Sequence, residues 1–214
     1  MKKIILTLVV LLISTQVWAN DVANLSSEQA LQKLKQGNDR FVSMKLKHPD
    51  ESVERRIEMV KGQHPFVAVL SCSDSRVPTE IVFDQGLGDI FVIRNAGNVL
   101  DEHILGSIEY AVEHLGINLV VVMGHESCGA VGTAMAEGKE THAIESLKKA
   151  IEPAVCKCKK EHKYTYENVI KTHAQLDVED ILKDKDLCEF VEKHHVKIVP
   201  AYYHLDTGIV EFLN

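Results

Sequence analysis

The sequence predicts an α/β fold: a central, mostly parallel β-sheet flanked by helices, followed by a helical C-terminal region. Two observations predict it. Three short runs, Phe66 to Ser71, Ile90 to Ile93 and Leu119 to Met123, are almost wholly apolar and rich in β-branched residues, as strands buried on both faces are. Between them, near 78–84 and 103–115, lie helical patterns, and strands alternating with helices build a parallel sheet covered on both sides.

In chain order, the first segment is a leader. Lys2 and Lys3 precede an apolar run from Ile4 to Ile13, and Val17-Trp18-Ala19 ends the stretch with a small residue. A basic start, an apolar core and a small residue before the cut describe a secretory signal peptide, cleaved here after Ala19. The run is shorter than the about 20 residues that span a bilayer, and no later segment is long and apolar enough to span one. The expected organisation is a signal peptide over 1–19 and a single domain over 20–214, with no membrane attachment after cleavage. The short leader resembles a bacterial one, which favours the periplasm.

Ser26 and Gln29 form a Ser-x-x-Gln start, and Leu31, Leu34, Asn38, Phe41 and Val42 follow at helical spacing, so a helix is expected over about 27–43. Glu51 to Gly62 sets Val53, Ile57 and Val60 among charges, an amphipathic helix ending near glycine. Beyond Gly129, helices are expected over about 130–137, 140–159, 165–183 and 186–194, with Pro153 as a candidate bend in the second. Lys197 to Tyr203 and Ile209 to Phe212, joined through Asp206-Thr207-Gly208, read as a strand pair with a tight turn.

The mature chain carries 22 basic residues against 31 acidic ones, a net −9, which offers nothing to nucleic acid. The 45% hydrophobic content of the full 214 residues suffices for one core, and no repeat or linker divides the chain. Eleven histidines are scattered and read mostly as surface or helix-end residues, His194-His195 among them.

Five cysteines, at 72, 128, 156, 158 and 188, are an odd number for a secreted chain, which points to metal binding or a free thiol. Cys72 leaves the first strand, while His125 and Cys128 leave the third. Ligands of parallel sheets gather at the carboxyl ends of strands. Two thiolates and one imidazole are the composition of a catalytic zinc site, in which three protein ligands leave a fourth position open. Gly124 and Gly129, on either side of His125 and Cys128, are expected to supply unusual backbone angles. Asp74 and Arg76 alternate with Cys72. The guanidinium matches a carboxylate at two points and would hold Asp74 off the metal, for which Asp74 is otherwise a candidate fourth ligand.

Cys-Ser-Asp-Ser-Arg at 72–76, Arg-Asn-Ala-Gly-Asn at 94–98, Ser-Ile-Glu-Tyr-Ala at 107–111 and Gly-His-x-x-Cys-Gly at 124–129 closely resemble the motifs of the β-class carbonic anhydrases, from about Leu31 to Leu213. The resemblance, to the plant-type, open-site members, implies one Zn2+ per subunit on Cys72, His125 and Cys128, with Asp74 and Arg76 as a catalytic dyad. It implies a substrate pocket of Gln63, Phe91, Ala96, Tyr110 and Gly129. Ala96 stands where plant-type members carry valine, so the pocket is expected to be roomier. The implied reaction is reversible hydration of carbon dioxide to bicarbonate and a proton by zinc-bound hydroxide, in a homodimer or homotetramer whose pockets are built across an interface. Hydrolysis of carbon disulfide or carbonyl sulfide on the same fold, and zinc binding without catalysis, are the alternatives. Cys156, Cys158 and Cys188 read as buried thiols, a second metal site or one disulfide, with a bridge from Cys188 to 156 or 158 favoured.

Overall fold

The computed structural model describes residues 25–214, so the signal peptide expected over 1–19 lies outside the described residues. Helix α1 spans Ser27–Val42 and opens on a reciprocal cap: the Gln29 N–H donates to Ser26 Oγ and the Ser26 N–H to Gln29 Oε1, at 3.2 and 2.8 Å. Asn38, at the helical spacing read from sequence, is buried. Its Nδ2 donates to the carbonyls of Val82 and Gly208, and its Oδ1 accepts from the Val210 N–H. One amide thus ties α1 to two distant segments, because a buried polar group costs free energy unless its hydrogen bonds are made. Helix α2, Val53–Met59, buries none of its residues.

The sheet follows. Strand β1 is Val67–Cys72; a short helix α3, Thr79–Val82, leads to β2, Ile90–Asn95; helix α4, Glu102–Glu113, leads to β3, Leu119–His125. Helices α5 (Gly129–Met135), α6 (His142–Lys160), α7 (Tyr166–Lys183) and α8 (Lys185–His194) come next, and Pro153 lies within α6 without ending it. Strands β4, Lys197–Tyr203, and β5, Val210–Phe212, close the chain. The order across the sheet is β2-β1-β3-β4-β5, with the first four parallel and β5 antiparallel to β4.

Alternation along the strands divides the core. Val67, Val69, Val121 and Met123 pack toward α1 and α3 with Leu34, Val82 and Phe83. Ala68, Leu70, Val120 and Val122 face the opposite way, against α4, α7 and α8 with Ile108, Val112, Ala174 and Ile181. A third cluster, from α5, α6 and α7, packs beneath Cys72 and Cys128 and includes Val131, Ile151, Val155 and Ile170. From β1 the chain passes to β2 on one side and later to β3 on the other. The carboxyl ends of β1 and β3 therefore form the switch point at which parallel sheets open a crevice.

The favoured disulfide is not formed, and all five cysteines are free. Cys158 is buried against Thr172, its Sγ 3.3 Å from Oγ1, whereas Cys188 Sγ donates to the Lys185 carbonyl on its own helix and Cys156 is exposed. No described helix is long and apolar enough to cross a membrane.

Candidate metal centre

Cys72 ends β1 and His125 ends the adjacent β3, so sheet register alone brings them to one edge. Cys128 follows as the N-cap of α5. The turn between them is not built as the glycines suggested. Neither Gly124 nor Gly129 takes a positive φ; the left-handed residue is Ser127, at 53°. Gly124 is needed for space instead, since a Cβ there would sit 2.7 Å from Ile170 Cγ2, while Gly129 is exposed with open space around it.

The ligand atoms of Cys72, His125 and Cys128 lie within 4.8 Å of one another, and all three residues are buried. The two sulfurs are 4.0 Å apart. His125 Nδ1 is 2.8 Å from the Glu126 carbonyl, which can only accept, so Nδ1 carries the proton and Nε2 presents a lone pair. That Nε2 is buried without a hydrogen-bond partner. Left so, it forfeits about 1–3 kcal/mol; a cation held with the two sulfurs removes the deficit.

The sulfurs agree with this reading. Hydrogen bonding from Cys128 holds the Cys72 thiol down to about 4, against the cost of burial and with help from His125 and the Gly97 N–H 3.2 Å away. The same contact, together with burial, pushes the Cys128 thiol up. The pair shares one proton where a divalent cation would take two thiolates, and two thiolates with one imidazole suit zinc with a fourth position open.

Asp74 stands beside this group, its Oδ2 3.8 Å from His125 Nε2. Both its oxygens are engaged by Arg76: Nε donates to Oδ1 at 2.9 Å and Nη2 to Oδ2 at 2.8 Å, with the Arg76 N–H also on Oδ1. This fork holds the Asp74 carboxyl well below the usual carboxylate range. Arg76 Nη2 also reaches the Ser127 carbonyl at 3.3 Å, so it spans both loops of the site.

Several contributors carried no role in the sequence reading. Arg94 Nε and Nη2 donate to the carbonyls of Cys72 and Asp74 at 3.0 and 2.8 Å, fixing the loop that bears the dyad. Tyr166 Oη donates to the Cys128 carbonyl at 2.5 Å. Arg94 sits inside a motif already quoted, but a side chain that acts by holding backbone carbonyls leaves no spacing signature.

The expected pocket residues divide. Ala96, exposed, precedes Gly97, whose N–H meets Cys72 Sγ, and Gly129 follows Cys128, so both are chain neighbours of residues at the sulfurs. Gln63, Phe91 and Tyr110 do not. Phe91 pairs with Ala68, four residues before Cys72, which at about 3.3 Å per residue puts it roughly 13 Å down the sheet. Tyr110 packs on Phe91 with ring centroids 6.1 Å apart, and Gln63 is exposed four residues ahead of β1, at the opposite end of the strand from Cys72.

Comparison with known proteins agrees with this geometry. The family model described as carbonic anhydrase matches residues 67–210. Carbonic anhydrase 2 of Mycobacterium tuberculosis is 52% identical over 113 residues, which are 53% of this chain and 55% of that relative, so the match spans about half of each. The carbonic anhydrase of Mycolicibacterium smegmatis is 39% identical over 197 residues, 88% of this chain and 94% of the relative. Among solved structures, a β-carbonic anhydrase of Aspergillus fumigatus superposes with a TM-score of 0.67 at 26% identity, covering 87% of this chain and 90% of that one. One of two tetrameric β-carbonic anhydrases of Sordaria macrospora gives 0.70 at 21% identity, over 74% and 85%. A near full-length relative, a family model over most of the chain and a shared fold lead to one conclusion: the chain belongs to the β-carbonic anhydrase family.

Proposed function

We propose that the chain catalyses the reversible hydration of carbon dioxide to bicarbonate and a proton, with one Zn2+ per subunit on Cys72, His125 and Cys128. The observation that carries this reading is the buried, partnerless His125 Nε2 facing two sulfurs beside a carboxylate locked by arginine. Zinc, when bound, supplies a Lewis acid that lowers the pKa of a coordinated water from 15.7 toward ~7.

The residues around it have separable tasks. Asp74 is fixed by Arg76, yet its Oδ2 keeps a second lone pair, so Asp74 can accept a hydrogen bond from the reacting water or hydroxide and aim that oxygen's lone pair at the carbon. Arg76 keeps Asp74 ionised and, by engaging both its oxygens, holds it beside the ligand position without taking it, the arrangement expected of the plant-type, open-site subclass. Ala96 and Gly129 leave room for a small linear substrate.

Gln63, Phe91 and Tyr110 serve the site only if a second copy brings them. We propose a homodimer, or a tetramer built from it, in which the partner's Gln63, the partner's Phe91 and the partner's Tyr110 complete each pocket. Their distance from Cys72 within one chain and the exposed apolar stripe of α2 support it, as do the tetrameric relatives. The leader supports export to the periplasm with cleavage after Ala19; N-terminal sequencing of the fractionated protein tests that.

The deciding experiment is stopped-flow hydration of carbon dioxide by purified protein of known zinc content. A rate that tracks zinc occupancy supports the proposal. Stoichiometric zinc with no hydration above background would sink it.

A further inference from the structure

Beneath the two sulfurs lies a buried polar chain that the proposed reaction leaves unused. His173 and Asp177 lie four residues apart on α7, 2% and 6% exposed, on the same face as Ile170, Ala174 and Ile181. His173 Nε2 is 2.9 Å from the Gly97 carbonyl, so Nε2 carries the proton and Nδ1 is left as an acceptor. Nδ1 faces Asp177 Oδ1 at 3.5 Å, and Asp177 Oδ2 accepts from Asn98 Nδ2 at 3.1 Å. Gly97, held at its carbonyl by His173, directs its own N–H at Cys72 Sγ from 3.2 Å.

The turn these side chains grip does not hold itself. Gly97 and Asn98 are consecutive residues in the left-handed region, at φ 75° and 46°. For a non-glycine residue that conformation costs on the order of 1 kcal/mol and persists where surroundings enforce it. A Cβ on Gly97 would lie 2.8 Å from the Ala130 Cβ, so the turn is also too tightly packed to shift toward α5. α7 supplies the enforcement twice, through His173 on the Gly97 carbonyl and Asp177 on the Asn98 amide.

We propose that His173 and Asp177 are positioning residues of the metal centre, locking the Gly97-Asn98 turn so that the Gly97 N–H donates to the Cys72 sulfur. This rests on the metal reading above. A donor on a thiolate draws electron density from it and fixes its direction, as partners behind metal ligands commonly do. A histidine that merely filled the core would leave the sulfur's electronic state alone.

Cobalt(II)-substituted protein separates the two, because thiolate-to-cobalt charge transfer reports directly on the sulfur. Wild type should bind one cobalt per chain and show that band; a wild type without it overturns the metal reading and this inference together. In His173→Leu the band should move to lower energy, and cobalt should be lost to a competing chelator about ten- to a hundredfold more readily. In His173→Gln, whose amide can still donate to the Gly97 carbonyl, the band should return to its wild-type position. Circular dichroism and cobalt stoichiometry establish that each variant is folded and loaded. Should His173→Leu fail to fold, Asp177→Leu keeps the imidazole but frees it, and should move the band the same way by less. An unmoved band in a folded, loaded leucine variant overturns this inference alone.

Discussion

The two ends of the sheet differ in what they leave undone. At the carboxyl ends of β1 and β3, Cys72, His125, Cys128, Asp74 and Arg76 converge from two strand exits, and Arg94, Gly97 and Tyr166 hold them from behind. At the amino end, by Phe91 and the loop entering β2, side chains suited to contact stand open. Tyr110 is 46% exposed on Phe91, and α2, tied there by Arg55 Nε on the Leu87 carbonyl, presents Val53 and Ile57 to solvent together with Val60 at its C-cap. Spacing of i, i+4 and i+7 is the mark of a covered helix face, and nothing among the described residues of the same chain covers this one. One end thus gathers residues that could hold a metal; the other holds, open to solvent, the groups proposed to complete a pocket.

The largest effects fall on the self-sufficient end. Cys72→Ser, His125→Ala or Cys128→Ser each removes one of three protein ligands, so each should lose stoichiometric zinc and bring hydration to background. Metal analysis after gel filtration, paired with stopped-flow rates, checks this; a variant that keeps both takes its residue out of the site. Arg76→Ala should leave zinc in place and cost about a hundredfold in kcat/KM, the scale of losing one preorganised electrostatic partner. An undiminished rate would reduce the dyad to an ordinary loop ion pair.

The open end should respond more mildly, and in a way that identifies whose site it serves. Gln63→Ala should retain zinc and lower kcat/KM about tenfold, the cost of one lost substrate contact. Mixing is sharper. If pockets are shared across a two-fold interface, a Gln63→Ala chain supplies a good metal and a Cys72→Ser chain a good Gln63. Reassembling equal amounts should then restore about a quarter of wild-type activity, since half the dimers are mixed and each has one complete site. A mixture showing only the residual rate of its two parents would place both groups in one chain's pocket.

The two ends were also unequally legible in the sequence. Buried strands announce themselves as apolar runs, and metal-binding side chains at strand exits carry their chemistry in their identity, so the sheet and Cys72, His125 and Cys128 could be placed together from sequence alone. The apolar periodicity of α2 says that a face wants covering but not by which molecule. The disulfide expectation failed because counting cysteines says nothing of direction, and Cys158 points at Thr172 while Cys188 bonds within its own helix. His173 and Asp177 belong to no motif, and the expectation that scattered histidines lie at the surface or at helix ends does not hold for His173, which is buried. A signal did exist: both fall on the stripe of Ile170, Ala174, Val178 and Ile181, where a polar residue has to answer for its burial.

That pair gives the last and smallest test, because in wild type its effect on the pH dependence of stability should nearly cancel. Burial pulls the His173 imidazole down to about 4, against the pull of the Gly97 carbonyl, and burial raises the Asp177 carboxyl well above its ordinary value, with Asp180 adding to the rise. Folded, the pair is therefore a neutral imidazole and a neutral acid, holding one titratable proton. Unfolded, between about pH 4 and 6.5, it is an imidazolium and a carboxylate, again holding one. Equal proton counts mean no slope from the pair in that window. Removing either member exposes the other. In Asp177→Asn the remaining histidine binds a proton only when unfolded, so stability should rise with pH from about 4 to 6.5, by on the order of 3 kcal/mol if the whole depression is expressed. In His173→Gln the remaining acid loses its proton only when unfolded, so stability should instead fall as pH rises above about 4. Urea unfolding of zinc-loaded protein at half-unit steps across this range reads both slopes. The two variants sloping in opposite senses, about a flatter wild type, would show that burial beneath the metal centre shifts each group as argued; parallel curves would mean that folding leaves the proton affinity of neither group changed, and would overturn both shifts.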